Sequence, residues 1–161
     1  MDYLINGLPL HVLLVHFVVI VVPLAALCTV LAAAWPAARR RLGVVTPIIA
    51  LAALISVPIT TAAGEWLLTK VGNAPLILAH AALGRTLLPW AIATFVVATV
   101  QWVWFRFGSS RVPGRPARVT IAVVLALAVA VISVGSVVTV IQIGESGARA
   151  VWSVLFTTTS K

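Results

Sequence analysis

Apolar and polar positions alternate here on the scale of whole segments. Four long apolar runs, over about residues 8–35, 44–63, 79–104 and 119–143, are separated by short stretches that collect arginine, glycine and proline. Each run holds about 20 residues or more, enough for an α-helix to cross a hydrocarbon core of ~30 Å. The pattern predicts an all-α, integral membrane four-helix bundle, up-down-up-down, as a single domain over 1–161. The remaining stretch, 144–161, mixes Glu145 and Arg149 with Val151, Trp152, Leu155 and Phe156 and is expected to lie along the outer interface.

Prolines mark the runs internally. Pro9 suits a first helical turn, where a missing N–H is harmless. Pro23, Pro58 and Pro89 fall inside runs, and an internal proline strips a carbonyl of its partner and bends the helix. Pro36 and Arg39-Arg40-Arg41 end the first run, a stop-transfer pattern that predicts an uncleaved span rather than a leader peptide. Ala122, Ala126 and Ala130 form a small-residue ladder on the fourth run, and Gly135-Ser136 follows it. Both would admit close helix packing.

Composition supports the membrane reading. Hydrophobic residues make up 62% of the chain and charged residues only 9%, whereas a soluble domain carries roughly 25% charged residues. The net charge of +8 does not indicate nucleic acid, because the cations stand in loops between spans. Loops 36–43 and 105–118 hold Arg39, Arg40, Arg41, Arg106, Arg111, Arg115 and Arg118; the other side holds Lys70, Arg85, Arg149, Lys161 and the three acids, Asp2, Glu65 and Glu145. The positive-inside rule then puts both arginine loops in the cytoplasm and both termini on the extracytoplasmic side. The sole cysteine, Cys28, excludes an internal disulfide and any paired-cysteine metal motif. Heavy use of Ala, Val and Arg points to a bacterial plasma membrane as the location.

Against this background the ionisable residues stand out. His11 and His16 open the first span, His80 opens the third, and Glu65 and Glu145 close the second and fourth. All five therefore fall in the outer leaflet, and diagonal spans of a bundle bring such residues together across its axis. Within the first span, five residues correspond to ~500° of rotation and ~7.5 Å of rise, so the His11 and His16 rings point ~140° apart. One faces the axis and the other a neighbouring span or the headgroups.

Three readings stand. A b-type haem would take His80 and one of His11 or His16 as axial ligands, with Gly84 admitting a flat macrocycle and Arg85, Arg149 and Lys70 near the propionates. A divalent transition metal would take His11, His16 and His80 with Glu65 or Glu145. In the third reading the histidines bond carbonyls freed by prolines, and Glu65–Arg85 and Glu145–Arg149 are interfacial ion pairs.

These same residues carry a resemblance. Gly7-Leu8-Pro9-Leu10-His11-Val12-Leu13-Leu14-Val15-His16-Phe17 resembles the opening motif of the domain-of-unknown-function 2231 family of small four-span bacterial membrane proteins, with Val12 where a proline is usual. Gly64-Glu65 through His80-Ala81-Ala82-Leu83-Gly84 is similar to the family's second block. Ile143-Gly144-Glu145-Ser146-Gly147-Ala148-Arg149-Ala150-Val151-Trp152 is similar to its third, with Glu145 where a histidine often stands. Relatives fused to Rieske-type or cytochrome domains imply an electron-transfer setting.

The expectation is a haem b- or metal-binding membrane protein serving electron transfer beside a respiratory complex. His80 and His16 are the expected axial pair, with His11 in reserve and Glu65 and Arg85 behind them. The alternative is a cofactor-free accessory subunit that packs against a larger membrane complex or a second copy of itself. No arrangement of serine, cysteine or carboxylate points to an enzyme in its own right.

Overall fold

The computed structural model describes residues 3–158, with side chains described through residue 153. The chain opens with a small hairpin in which β1 (Leu4–Ile5) pairs antiparallel with β2 (Leu8–Pro9), Leu4 opposite Pro9 and Ile5 opposite Leu8. Asn6 (φ 51°) and Gly7 (φ 79°) both take left-handed backbone in the turn, as a two-residue hairpin loop requires and as Asn-Gly favours. Pro9 therefore ends a strand and caps α1 (Leu10–Ala34) instead of sitting in its first turn.

α1 runs unbroken through Pro23 and stops at Trp35, whose extended backbone (φ −125°, ψ 109°) is what a following proline imposes. The short α2 (Pro36–Leu42) then folds back. Its Arg39 donates from Nε to the Ala32 carbonyl at 2.6 Å and from Nη2 to the Ala33 carbonyl at 2.8 Å, closing off carbonyls that the end of α1 leaves unpaired. α3 (Val45–Val71) forms the second span.

The third span departs from the expected single run beginning near residue 79. α4 (Pro75–Arg85) starts earlier, behind an extended Ala74, and α5 (Leu87–Val103) follows after a break at Thr86. Pro89 explains the break. It has no N–H to give the Arg85 carbonyl, and its ring crowds that same carbonyl. The proline thus lies in the first turn of a new helix. A π-helical turn, Trp104–Gly108, completes the span. The last helix, α6 (Arg115–Thr158), does not turn at Gly144. The stretch expected as a separate surface tail continues the helix, and its first turns pack on α4 through Ser146 and Gly147.

Among the described residues, four helical segments are long and apolar enough to span a membrane: Leu10–Ala34, Val45–Val71, Pro75–Gly108 and the helix from Arg115. α1 packs on α3 and α6, and α5 packs on the same two, while α1 and α5 meet only sparsely across the centre. Spans one and three are therefore diagonal, as the up-down-up-down reading requires. Val22, Ala25, Ala50, Ala53, Val57, Ala91 and Ala98 fill the shared core. Thr94 and Ser136 meet inside it at 3.0 Å, each also bonded to the carbonyl four residues back on its own helix. On α6 the packed positions are Val129, Ser133, Ser136, Thr139 and Val140, whereas Ala126 and Ala130 of the expected ladder face outward.

Candidate functional site

At the end of the bundle where α1 begins and α3 finishes, the hairpin holds the entry to α1 in place. Tyr3 packs its ring 6.0 Å from that of Trp66, and the Leu10 N–H donates to the Tyr3 carbonyl at 2.8 Å. His11, one residue into α1, then points at α3. Its Nδ1–H donates to the Thr60 carbonyl at 2.9 Å. The ring lies so close over Gly64 that a Cβ there would come within 2.8 Å of both Cε1 and Nδ1. Gly64 is the seat of this imidazole.

His80, from α4, repeats the arrangement on α6. Its Nδ1 lies 3.0 Å from the Ser146 hydroxyl, and a Cβ on Gly147 would come within 3.0 Å of its Cε1. The Ser146 hydroxyl donates its one proton to the Ile143 carbonyl at 2.8 Å. It can therefore only accept from His80, which places the ring proton on Nδ1. A carbonyl likewise can only accept from His11. Both histidines thus donate from Nδ1, which in the neutral ring leaves the lone pair on Nε2. An anchored N–H opposite an available nitrogen is the pattern found on imidazoles that ligate metals.

The two rings meet in a T-shaped arrangement, with centroids 6.2 Å apart and planes inclined at 75°. They border a cavity of about 500 Å³ running between α1, α3, α4 and α6. Its walls are mostly apolar, with Val15, Val57, Leu68 and Val140 among them. Gly84 and Gly144 also line it, and a Cβ at either would meet nothing within 4 Å. That volume lies within the range of small-molecule and cofactor sites, and apolar walls with few polar groups are their usual composition.

The other expected residues are placed differently. His16 is exposed, turned away from the cavity, and donates from Nδ1 to the Val12 carbonyl of its own helix at 2.7 Å. The partner across from His80 is therefore His11, the residue held in reserve by the sequence reading, as the ~140° between the two α1 histidines allows for only one of them. Glu65 borders the cavity but engages Arg85 at 3.1 Å, and Glu145 engages Arg149 on the exposed face of α6. Among the described residues no group of three or more His, Cys, Asp or Glu is gathered closely enough to hold a bare metal ion. The five-residue metal set expected from sequence is not assembled here.

Sequence reasoning missed the four residues that seat the imidazoles: Thr60, Gly64, Ser146 and Gly147. A signal is present in Gly64, beside Glu65, and in Gly147, two residues past Glu145: these glycines matter for the space they leave, whereas Gly144 seats no ring.

A family model described as a predicted membrane protein (DUF2231) matches residues 7–160. Searches of curated proteins and of solved structures returned no match. With the match running from the hairpin turn through α6, the chain belongs to the DUF2231 family of predicted membrane proteins.

Proposed function

We propose that the cavity between His11 and His80 holds a b-type haem and that the protein serves electron transfer in the membrane. One observation carries this reading. Two imidazoles from diagonal spans, each anchored through Nδ1, stand with ring centres 6.2 Å apart beside an apolar cavity.

The residues fit the group on three counts. Two imidazoles sharing one metal at ~2.0 Å per bond have ring centres about 6 Å apart, as these do. Haem brings four nitrogens of its own, so two protein ligands suffice, whereas a bare transition-metal ion needs more donors than this site gathers. Gly84 and Gly144 leave wall space that a side chain would otherwise fill. His11 and His80 would hold the haem, which would supply one-electron exchange at that site.

This chain's residues would do the rest. Thr60 and Ser146 hold the two rings in orientation and in tautomer, and the Val- and Leu-rich walls exclude water. Arg85 and Arg149 stand at the same end, already neutralised by Glu65 and Glu145, and would have to exchange those partners to meet propionates.

The test is hemin titration of purified protein, with absorption spectra before and after reduction. A Soret band that sharpens and shifts on reduction, lost in His11→Ala and His80→Ala but kept in His16→Ala, is the expected result. Hemin that binds equally to all four proteins, or to none, overturns the proposal. Colourless protein with stoichiometric metal would restore the metal reading. Colourless, metal-free protein that purifies with a larger complex would favour the accessory-subunit reading, for which α6, the least buried span, offers the surface.

A further inference from the structure

The opposite end of the bundle holds a second cavity, of about 580 Å³, between the end of α1, α2, the start of α3 and the end of α5. Its lining differs in kind from the first. Arg39, Arg40 and Arg106 border it, together with Trp102 and Phe105, and Thr46 and Gln101 lie deep within it. Gln101 is the largest fully buried side chain of the bundle, at 2% exposure, and neither its amide nitrogen nor its amide oxygen has a hydrogen-bond partner. The Thr46 hydroxyl, also at 2%, has none either. A buried polar group without a partner is expensive, and two bordering one cavity call for a ligand that both accepts and donates.

The charge around them is one-sided. Arg39 is committed to the Ala32 and Ala33 carbonyls, with its guanidinium 3.4 Å over the Phe105 ring. Arg40 and Arg106 are exposed at the rim. The acids Glu65 and Glu145 are paired with Arg85 and Arg149 at the far end. Burial also works against the Arg39 charge, lowering its pKa from the ordinary value. The π-helical turn at Trp104–Gly108 forms part of the rim, and such turns recur at functional sites.

We infer that this cavity is a binding site for a phosphate-bearing anion, with Arg40 and Arg106 on the phosphate and Gln101 and Thr46 on its oxygens and hydroxyls. Basic pockets between spans at the arginine-rich side are a known setting for anionic headgroups. Two sources share this chemistry. A phosphatidylglycerol headgroup supplies a phosphodiester to accept and glycerol hydroxyls to donate to the Gln101 oxygen; inorganic phosphate supplies P–O and P–OH. Phosphatidylcholine has the phosphodiester but carries no net charge and no hydroxyl to donate, so it meets only the first requirement.

Native mass spectrometry of the full chain, released from nanodiscs of phosphatidylglycerol mixed equally with phosphatidylcholine, tests the lipid source. The expected result is retention of phosphatidylglycerol over phosphatidylcholine by roughly thirtyfold, as two arginine contacts would supply. That preference should fall several-fold in the Arg40→Gln/Arg106→Gln double variant and in Gln101→Leu, but not in Arg41→Gln, which removes one charge next to Arg40 on the same helix but outside the cavity. Phosphate titrated into protein in pure phosphatidylcholine nanodiscs tests the soluble source. A rise in melting temperature that Gln101→Leu abolishes supports the site with free phosphate as its ligand. The proposal is overturned if neither probe binds selectively, or if Arg41→Gln costs as much as the double variant. Retained helical circular dichroism in Gln101→Leu, whose leucine suits an apolar interior, separates loss of binding from loss of fold.

Discussion

Replacing Gly64 with alanine isolates the seat of His11 from every question about what the cavity binds. The added methyl would stand 2.8 Å from Cε1 and Nδ1 of the imidazole, whereas relaxed carbon contacts lie near 3.5–4.0 Å. The ring must retreat by about 0.7 Å or more to reach that range. The Nδ1–Thr60 bond starts at 2.9 Å, so a retreat of that size carries it past the limit of a hydrogen bond. Losing the bond removes about 1 kcal/mol, and residual overpacking adds about 1–3 kcal/mol. Against this, alanine in place of a helical glycine returns about 1 kcal/mol of backbone preference. The net expectation is destabilisation of about 1–3 kcal/mol in the wild-type background. In a His11→Ala background the clash and the bond are both gone, so the same substitution should stabilise by up to about 1 kcal/mol. The sign reversal is the diagnostic. Four proteins (wild type, each single variant and the double) unfolded thermally in one detergent give the cycle directly. Equal effects of Gly64→Ala with and without His11 would show that the ring does not rest on this glycine, and the anchored tautomer would go with it.

Other substitutions probe the remaining contacts. Gly135→Ala would set a methyl 2.2 Å from two carbons of the Trp90 indole; the expected loss is about 3 kcal/mol, partly recovered by Trp90→Leu in the same chain, read by thermal unfolding. Arg39→Lys replaces a planar fork that spans two carbonyls and lies over Phe105 with a point charge, and should lower stability by about 1 kcal/mol in spite of the conserved charge. Glu145→Gln breaks an exposed ion pair with Arg149 and should change the melting temperature barely at all, because such pairs contribute about 0–1 kcal/mol. Ser146→Ala leaves the His80 Nδ1–H without its acceptor and should cost about 1 kcal/mol; a Ser146→Thr variant, which keeps the hydroxyl, should retain most of the stability.

What the sequence made legible follows from the physics that lipid imposes. The number of spans rests on length and apolarity alone, while the second helix runs past the expected end near residue 63 to Val71 and the third begins at Pro75 instead of near residue 79. The finer errors were local. The Asn6-Gly7 turn was passed over because the hairpin it builds has only two residues per strand, too short to register as a strand pattern. The run over 79–104 reads as one helix with Pro89 inside it, although the missing N–H and the ring act together at the Arg85 carbonyl and separate two helices there.

Which face of each helix turns inward was the harder matter, and the reason is physical. In water, hydrophobic periodicity marks the buried side; in a bilayer both sides are apolar, and that contrast disappears. Ile20, Leu27, Leu127, Val131 and Ile141 all face outward, while Ala25, Thr29, Ala50, Ser56, Ala63, Ser133 and Thr139 face inward. Packing without a hydrophobic drive selects residues that let backbones approach, so size and hydroxyl content carry the signal that hydropathy has lost. The histidines obey the same rule. Hydropathy does not distinguish His11 from His16, but only His11 meets a glycine on the next span, and an imidazole in a close-packed bundle goes where a side chain has been left out.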